Sequence, residues 1–196
     1  MKYIDDDKVE LPEDNVGASR KYLQFPNILC CVAVIFRTNT CYPAIYAGIH
    51  LTFATTIAEI KEKLKIILGY QKSIPAYANF SDVYIVGAIS VFCRGKKTQV
   101  NDFLKEISRL IKSKIKTVKH VYSFDLNKGN AHDITNYTIF TEDSYIKPIS
   151  YCYTNNLKFM RNDNTRNKDR IFLPIGTFDL IKTGPFDAFK YRQPHH

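Results

Sequence analysis

The chain has 196 residues, 45% of them hydrophobic, and a formal net charge of +9. This is enough for one domain with a substantial core, and two small domains fit less well. No apolar run approaches the ~18–20 residues that a membrane-spanning helix needs, and the acidic opening MKYIDDDKVELPEDN lacks the apolar centre of a Sec signal peptide. The protein is therefore expected either in the cytoplasm or exported without a cleaved Sec signal, with delivery into a host cell as one such route.

Charge is unevenly spread. Residues 1–15 carry two lysines against six acids and read as an acidic N-terminal arm, loosely docked at most. Residues 94–128 carry ten Lys/Arg against three acids, a basic stretch able to meet nucleic acid or an acidic protein. The five cysteines are Cys30, Cys31, Cys41, Cys93 and Cys152. Their odd number and the lack of a C-x-x-C pair argue against a disulfide framework and a zinc ribbon. Cys41, Cys93 and Cys152 read as small core residues.

Residues 16–27, ending on a Pro-Asn turn, form an extended lead-in. Residues 27–51, NILCCVAVIFRTNTCYPAIYAGIHL, hold two apolar runs about a polar break. Both runs are β-branched and aromatic and too short for most helices, so they read as two buried strands in a hairpin. Residues 55–69 give the clearest helix. Thr56 and Glu59 stand at capping-box spacing, Ile57, Ile60, Leu64, Ile67 and Leu68 form one apolar stripe, and Gly69 is a natural stop. After a loop containing Pro75, residues 82–94 read as one buried strand with Gly87 inside it. Residues 95–116 form a second helix with a basic exposed side. Strands are expected over 116–126, 134–141 and 149–154, a polar surface loop over 155–170, and a final strand pair over 171–182. The whole is a single α+β layered domain over 16–196, with two main helices packed on a largely antiparallel sheet.

Chemistry concentrates in the hairpin. A cysteine opening one strand and a histidine closing its neighbour can lie side by side, as a thiol nucleophile and its base require. On a strand, adjacent side chains face opposite ways, so either Cys30 or Cys31 can face His50, but not both. Spacing alone does not choose between them. It fits equally well two core cysteines and a histidine bonded to the backbone.

The ordered set of these residues resembles the Cys–His protein deamidase superfamily, which includes the chemotaxis deamidase CheD, the catalytic domain of cytotoxic necrotizing factor and protein N-terminal asparagine amidohydrolase. Leu29-Cys30-Cys31-Val32-Ala33-Val34 resembles the Leu-Gly-Ser-Cys-Val-Ala-Val strand opening of CheD and places Cys31 on the family nucleophile. Tyr46-Ala47-Gly48-Ile49-His50 resembles the strand that ends on the family base. Ile85-Val86-Gly87-Ala88 is similar to a later Gly-containing strand, and a helix lies between the last two in both. The resemblance covers residues 16–140, and residues 145–196 fall outside it. It implies a deamidase-like fold, a pocket at Gly48 and Gly87, and no cofactor.

Two positions depart from the family pattern. Leu29-Cys30 replaces a Gly-Ser pair, and Phe25 stands where a threonine often orients the histidine. Gln24, Asn27 and Ser19 are candidates for that third part, with a backbone carbonyl as the other option. The implied reaction is attack of the Cys31 thiolate on a carboxamide, loss of ammonia, and hydrolysis of the thioester. His50 would act as base and acid, backbone N–H groups at or just before Cys31 would serve as oxyanion donors, and the two reacting atoms would lie within ~4 Å. The expected substrate is a protein Gln or Asn side chain, as for a bacterial effector or toxin, or alternatively an N-terminal Asn. A non-catalytic module binding nucleic acid or an acidic protein through residues 96–116 is the reading from a different class. His120 and His132 stand apart from the hairpin, and no cluster has metal-ligand spacing.

Overall fold

The computed structural model describes residues 8–20, 22–38, 43–132, 135–142, 145–152, 173–174 and 179–181. In chain order these form β1 (Lys8–Glu10), β2 (Val16–Ser19), β3 (Tyr22–Ile28), β4 (Val32–Thr38), β5 (Tyr46–Leu51), α1 (Ile57–Ser73), β6 (Phe80–Gly87), α2 (Ile89–Gly95), α3 (Val100–Lys114), β7 (His120–Asp125), β8 (Thr135–Glu142), β9 (Tyr145–Cys152), β10 (Leu173–Pro174) and β11 (Asp179–Leu180). The expected loop over 155–170, the tail beyond residue 182 and Cys41 lie outside the described residues.

The protein is α+β, built as two sheets with helices on one of them. The six-stranded sheet runs β11-β7-β6-β4-β5-β2 and the five-stranded sheet β1-β3-β8-β9-β10. All described pairings are antiparallel except β1–β3 and β6–β7. The uninterrupted apolar run of β4 follows from its place in the middle layer, where a strand must be apolar on both faces. Val32, Val34 and Phe36 share one cluster with Ile60, Leu64 and Ile67 of α1 and with Phe103 and Ile107 of α3. Ala33 and Ile35 point the other way, into a second cluster with Leu23, Phe25, Tyr137 and Ile139 of the five-stranded sheet. The hairpin over 27–51 is present, with Ala33 opposite His50 and Ile35 opposite Gly48.

Four expectations need correction. The strand over 82–94 is two elements, because β6 ends at Gly87 and α2 follows. A buried apolar run can be either strand or helix by pattern alone. Here Gly87 at φ 153° turns the chain, and Ile89, Phe92 and Cys93 bury at helical spacing. The second main helix, α3, begins at Val100 rather than residue 95, after Lys97 at φ 54° breaks it from α2.

The first helix does not stop at Gly69 but runs to Ser73. Its capping box at Thr56 and Glu59 is formed. It stops where Pro75 forces the preceding residue to be extended, with Ile74 at φ −90°, ψ 162°. Gly69 therefore sits mid-helix, exposed, with no atom within 4 Å of where a Cβ would stand. Gly69→Ala is expected to raise stability by ~0.5–1 kcal/mol, since alanine orders at lower entropic cost. The check is a shift of the urea midpoint to higher concentration at unchanged slope, and an unmoved or lowered midpoint would refute it.

Finally, the acidic arm is not loose over its second half. Residues 8–10 pair with β3, and Val9 and Leu11 are buried. The apolar residues at 9 and 11 alternate with charged ones, so this piece lays one face on the core as a strand does. Among the described residues no helix is long and apolar enough to cross a membrane.

Candidate active site

The chain reaches Cys31 through a tight turn. Pro26 leads into Asn27, which has φ 57°, a left-handed conformation that asparagine tolerates. The Leu29 N–H donates back to the Asn27 carbonyl at 2.9 Å. Leu29 and Cys30 form a bend, and β4 starts only at Val32. Strand alternation therefore does not apply to the two cysteines. Cys31 is buried in the inter-sheet cluster, and Cys30, partly exposed, packs against that same cluster. The two cysteines are therefore not split between opposite faces as strand alternation would place them.

His50 faces the same way and is fully buried. Ala33 stands directly opposite it, and Cys31, two residues earlier in the chain, lies in the cluster on that same side of the sheet. The segment before β2 holds the histidine. Its backbone N–H donates to the Asn15 carbonyl at 2.9 Å, and its ring Nδ1 lies 2.9 Å from the Leu11 carbonyl. A carbonyl can only accept, so Nδ1 carries the hydrogen and the neutral ring presents Nε2 as a bare lone pair. That Nε2 is buried without a hydrogen-bond partner among the described residues. Burial lowers the His50 pKa, outweighing the Leu11 bond and the nearby Glu13 and Asp14 carboxylates. The imidazole is thus held neutral, its base nitrogen on the side chain's free end. The direct Cys31–His50 hydrogen bond expected from the sequence is not made.

The Cys31 thiol has two other acceptors. Its Sγ lies 3.8 Å from Glu13 Oε1, and it bonds the Cys30 sulfur. That bond brings the Cys30 pKa down to about 7, while the same bond, burial and Glu13 push Cys31 up. The Cys31 S–H donated to the Cys30 sulfur favours the anion there, and interacting thiols of this kind titrate as a pair.

The three side chains proposed to orient the base do not meet it. Gln24 lies on the outer face of β3, where its amide reaches Glu10 at 3.2 Å and accepts from Tyr22 at 3.1 Å. Asn27 is exposed and serves the turn. Ser19 accepts from the Tyr22 N–H at 3.0 Å at the β2–β3 turn. The Leu11 carbonyl takes that part instead. Phe25 does sit beside His50, ring edge to ring face at 6.1 Å. It also explains Gly48, since a Cβ there would stand 2.5 Å from Phe25 Cζ.

Gly87 and the start of α2 fix the Cys31 backbone. The Ala88 N–H donates to the Cys31 carbonyl at 3.2 Å, and the Leu126 N–H to the Gly87 carbonyl at 2.9 Å. Behind them is buried Asp125, which sequence reading missed. It accepts from the Ser90 hydroxyl and from the N–H groups of Ser90, Asn127 and Gly129. This ties α2 to the end of β7. Leu11 and Glu13 were missed as well. Their signal was the Val9–Leu11 alternation followed by the turn residues Pro12, Asp14 and Asn15.

Other candidates lie elsewhere. His120 pairs with Asp82 at 3.1 Å on neighbouring strands, and exposed His132 accepts from Arg94 at 2.7 Å. The outer face of α3 shows Asp102 and Glu106 beside Lys105 and Arg109, a surface of mixed sign. Among the described residues no group of three or more His, Cys, Asp or Glu side chains could hold a metal ion. A cleft of about 980 Å³ lies between the 9–18 segment and α1, lined by Leu11, Pro12, Asp14 and Lys63 among others. No protein-family model matches the chain, and no curated protein matches it either.

Proposed function

We propose that this protein is a thiol amidohydrolase that deamidates a Gln or Asn side chain of a protein substrate, with Cys31 as nucleophile and His50 as base. One observation carries the reading: a buried imidazole whose Nδ1 is committed to the Leu11 carbonyl, leaving Nε2 as its base nitrogen, on the side of the six-stranded sheet that packs the buried Cys31 thiol. The resemblance of the hairpin residues to the Cys–His deamidases supports the same assignment, with Cys31 just ahead of β4.

In the reaction, Nε2 takes the thiol proton as sulfur attacks the amide carbon, then returns it to the departing ammonia. Water hydrolyses the thioester by the reverse sequence. The alternative substrate, an N-terminal Asn, would need the same two groups.

The test is peptide mass spectrometry of cell proteins incubated with the wild type, Cys31→Ser and Cys30→Ser. The expected result is a Gln-to-Glu or Asn-to-Asp mass gain at defined sites, lost with Cys31→Ser and kept with Cys30→Ser. Loss with Cys30→Ser alone would move the nucleophile one residue back. Identical maps for all three proteins would overturn the reading.

A further inference from the structure

We infer that Glu13 occupies the subsite for the substrate's reacting side chain, standing in cis as a product-like carboxylate beside Cys31. This rests on the amidohydrolase reading above. Glu13 rides on the turn Pro12–Asn15, closed by the Asn15 N–H donating to the Pro12 carbonyl at 3.2 Å. The turn is pinned from both sides. Leu11, before it, is buried, with its N–H on the Gln24 carbonyl at 2.7 Å. Asp14, at φ 62°, accepts from Thr55 at 3.0 Å and meets Lys63 at 3.4 Å. The backbone that orients His50 is therefore fixed independently of the Glu13 side chain. That side chain points from an exposed residue to the buried Cys31 thiol, its Oε1 3.8 Å from Sγ.

As a member of the catalytic set, this carboxylate makes little sense. It opposes ionisation of the thiol, whereas an activating neighbour is a cation or a hydrogen-bond donor. As a reaction product it makes good sense, because a glutamate side chain is what deamidation of glutamine leaves. Cys31 and His50 are 1% and 0% exposed, and the Glu13 side chain reaches the thiol from an exposed position, as a substrate side chain would have to. The Glu13 side chain can swing out while Leu11 stays on His50.

A glutamine introduced by Glu13→Gln should then be a substrate held in cis. The Cys31 sulfur would bond to its Cδ, and the Cδ–N bond would break with the Cys31 proton passing through His50 Nε2 to give ammonia. Water would next add to Cδ, the C–S bond would break, and the proton would return to sulfur. The sum is carboxamide plus water giving carboxylic acid plus ammonia.

The experiment needs no knowledge of the natural substrate. E13Q protein is incubated at neutral pH and the peptide spanning the substituted position is followed by mass spectrometry, beside E13Q/C31S and E13Q/C31A. A parallel arm measures ammonia release from casein by E13A and E13A/C31S. The expected result is conversion of the introduced glutamine to glutamate in E13Q, absent from both double variants. Persistence of that glutamine, or conversion that continues without Cys31, overturns the assignment. If the glutamine persists while E13A releases ammonia from casein through Cys31, the subsite assignment falls and the amidohydrolase reading stands. If both arms are silent, the reading itself falls.

Discussion

Glutamine in place of His50 is expected to slow amide hydrolysis by about 10²–10⁴-fold, the usual contribution of a positioned general base. Glutamine is the informative replacement because it keeps a polar amide in the buried pocket beside the Leu11 carbonyl while carrying no titratable nitrogen. The substitution removes the Nε2 lone pair and leaves the packing against Phe25 nearly filled. The pH profile supplies the sharper readout. Burial lowers the His50 pKa in the folded protein. The base is therefore present above that lowered value and lost as pH falls through it. The wild-type rate should show an acid limb below the ordinary imidazole range of ~6.5. His50→Gln should lack that limb and follow thiol ionisation alone, which begins near the Cys30 value of about 7. Stability carries the same sign. Between the lowered folded pKa and ~6.5 the unfolded chain binds the extra proton, so wild-type stability rises with pH across that window. The variant should be flatter there. An unchanged rate with an intact acid limb would remove His50 from the chemistry.

What the sequence could show of this site was its strand chemistry. The β-branched run at 32–36 and the run ending at His50 predict a buried hairpin, and the register puts Ala33 opposite His50. What it could not show came from contacts without a side-chain signature. A backbone carbonyl at Leu11 reaches His50 across 39 residues, and Glu13 reaches Cys31 across 18. No spacing rule marks either. Alternation failed at Cys30–Cys31 for a physical reason: the pleat starts at Val32, and a bend has no period of two. Glycine misled twice in opposite directions. Gly69 looks like a stop and is an ordinary helical residue, because Pro75 supplies the stop. Gly87 looks like a strand residue and is a turn into a helix. The difference between the two glycines lies in their surroundings, open solvent in one case and backbone in the other.

That difference makes alanine in place of Gly87 the most damaging of the small substitutions. A Cβ there would stand 2.6 Å from the Cys31 carbonyl oxygen, 3.0 Å from Val32 Cα and 3.3 Å from Ile28 Cγ2. The first two are backbone atoms of the middle layer and cannot rotate aside. The backbone itself sits at φ 153°, where L side chains are strained. Strain of ~1–3 kcal/mol and overpacking of ~1–3 kcal/mol together predict a loss of about 2–6 kcal/mol. Against a typical domain stability of ~5–15 kcal/mol, that is a large fraction of the whole. It should appear as a urea midpoint far below wild type, opposite in sign to Gly69→Ala. Relief of the clash has to come from moving β6 and the start of β4 apart, which breaks the Ala88 to Cys31 bond at 3.2 Å and shifts the thiol relative to His50. Activity should therefore fall even where the variant is still folded, at low temperature and without denaturant. A Gly87→Ala protein within about 0.5 kcal/mol of wild type, the range of an ordinary surface change, would mean that Gly87 does not set the position of Cys31.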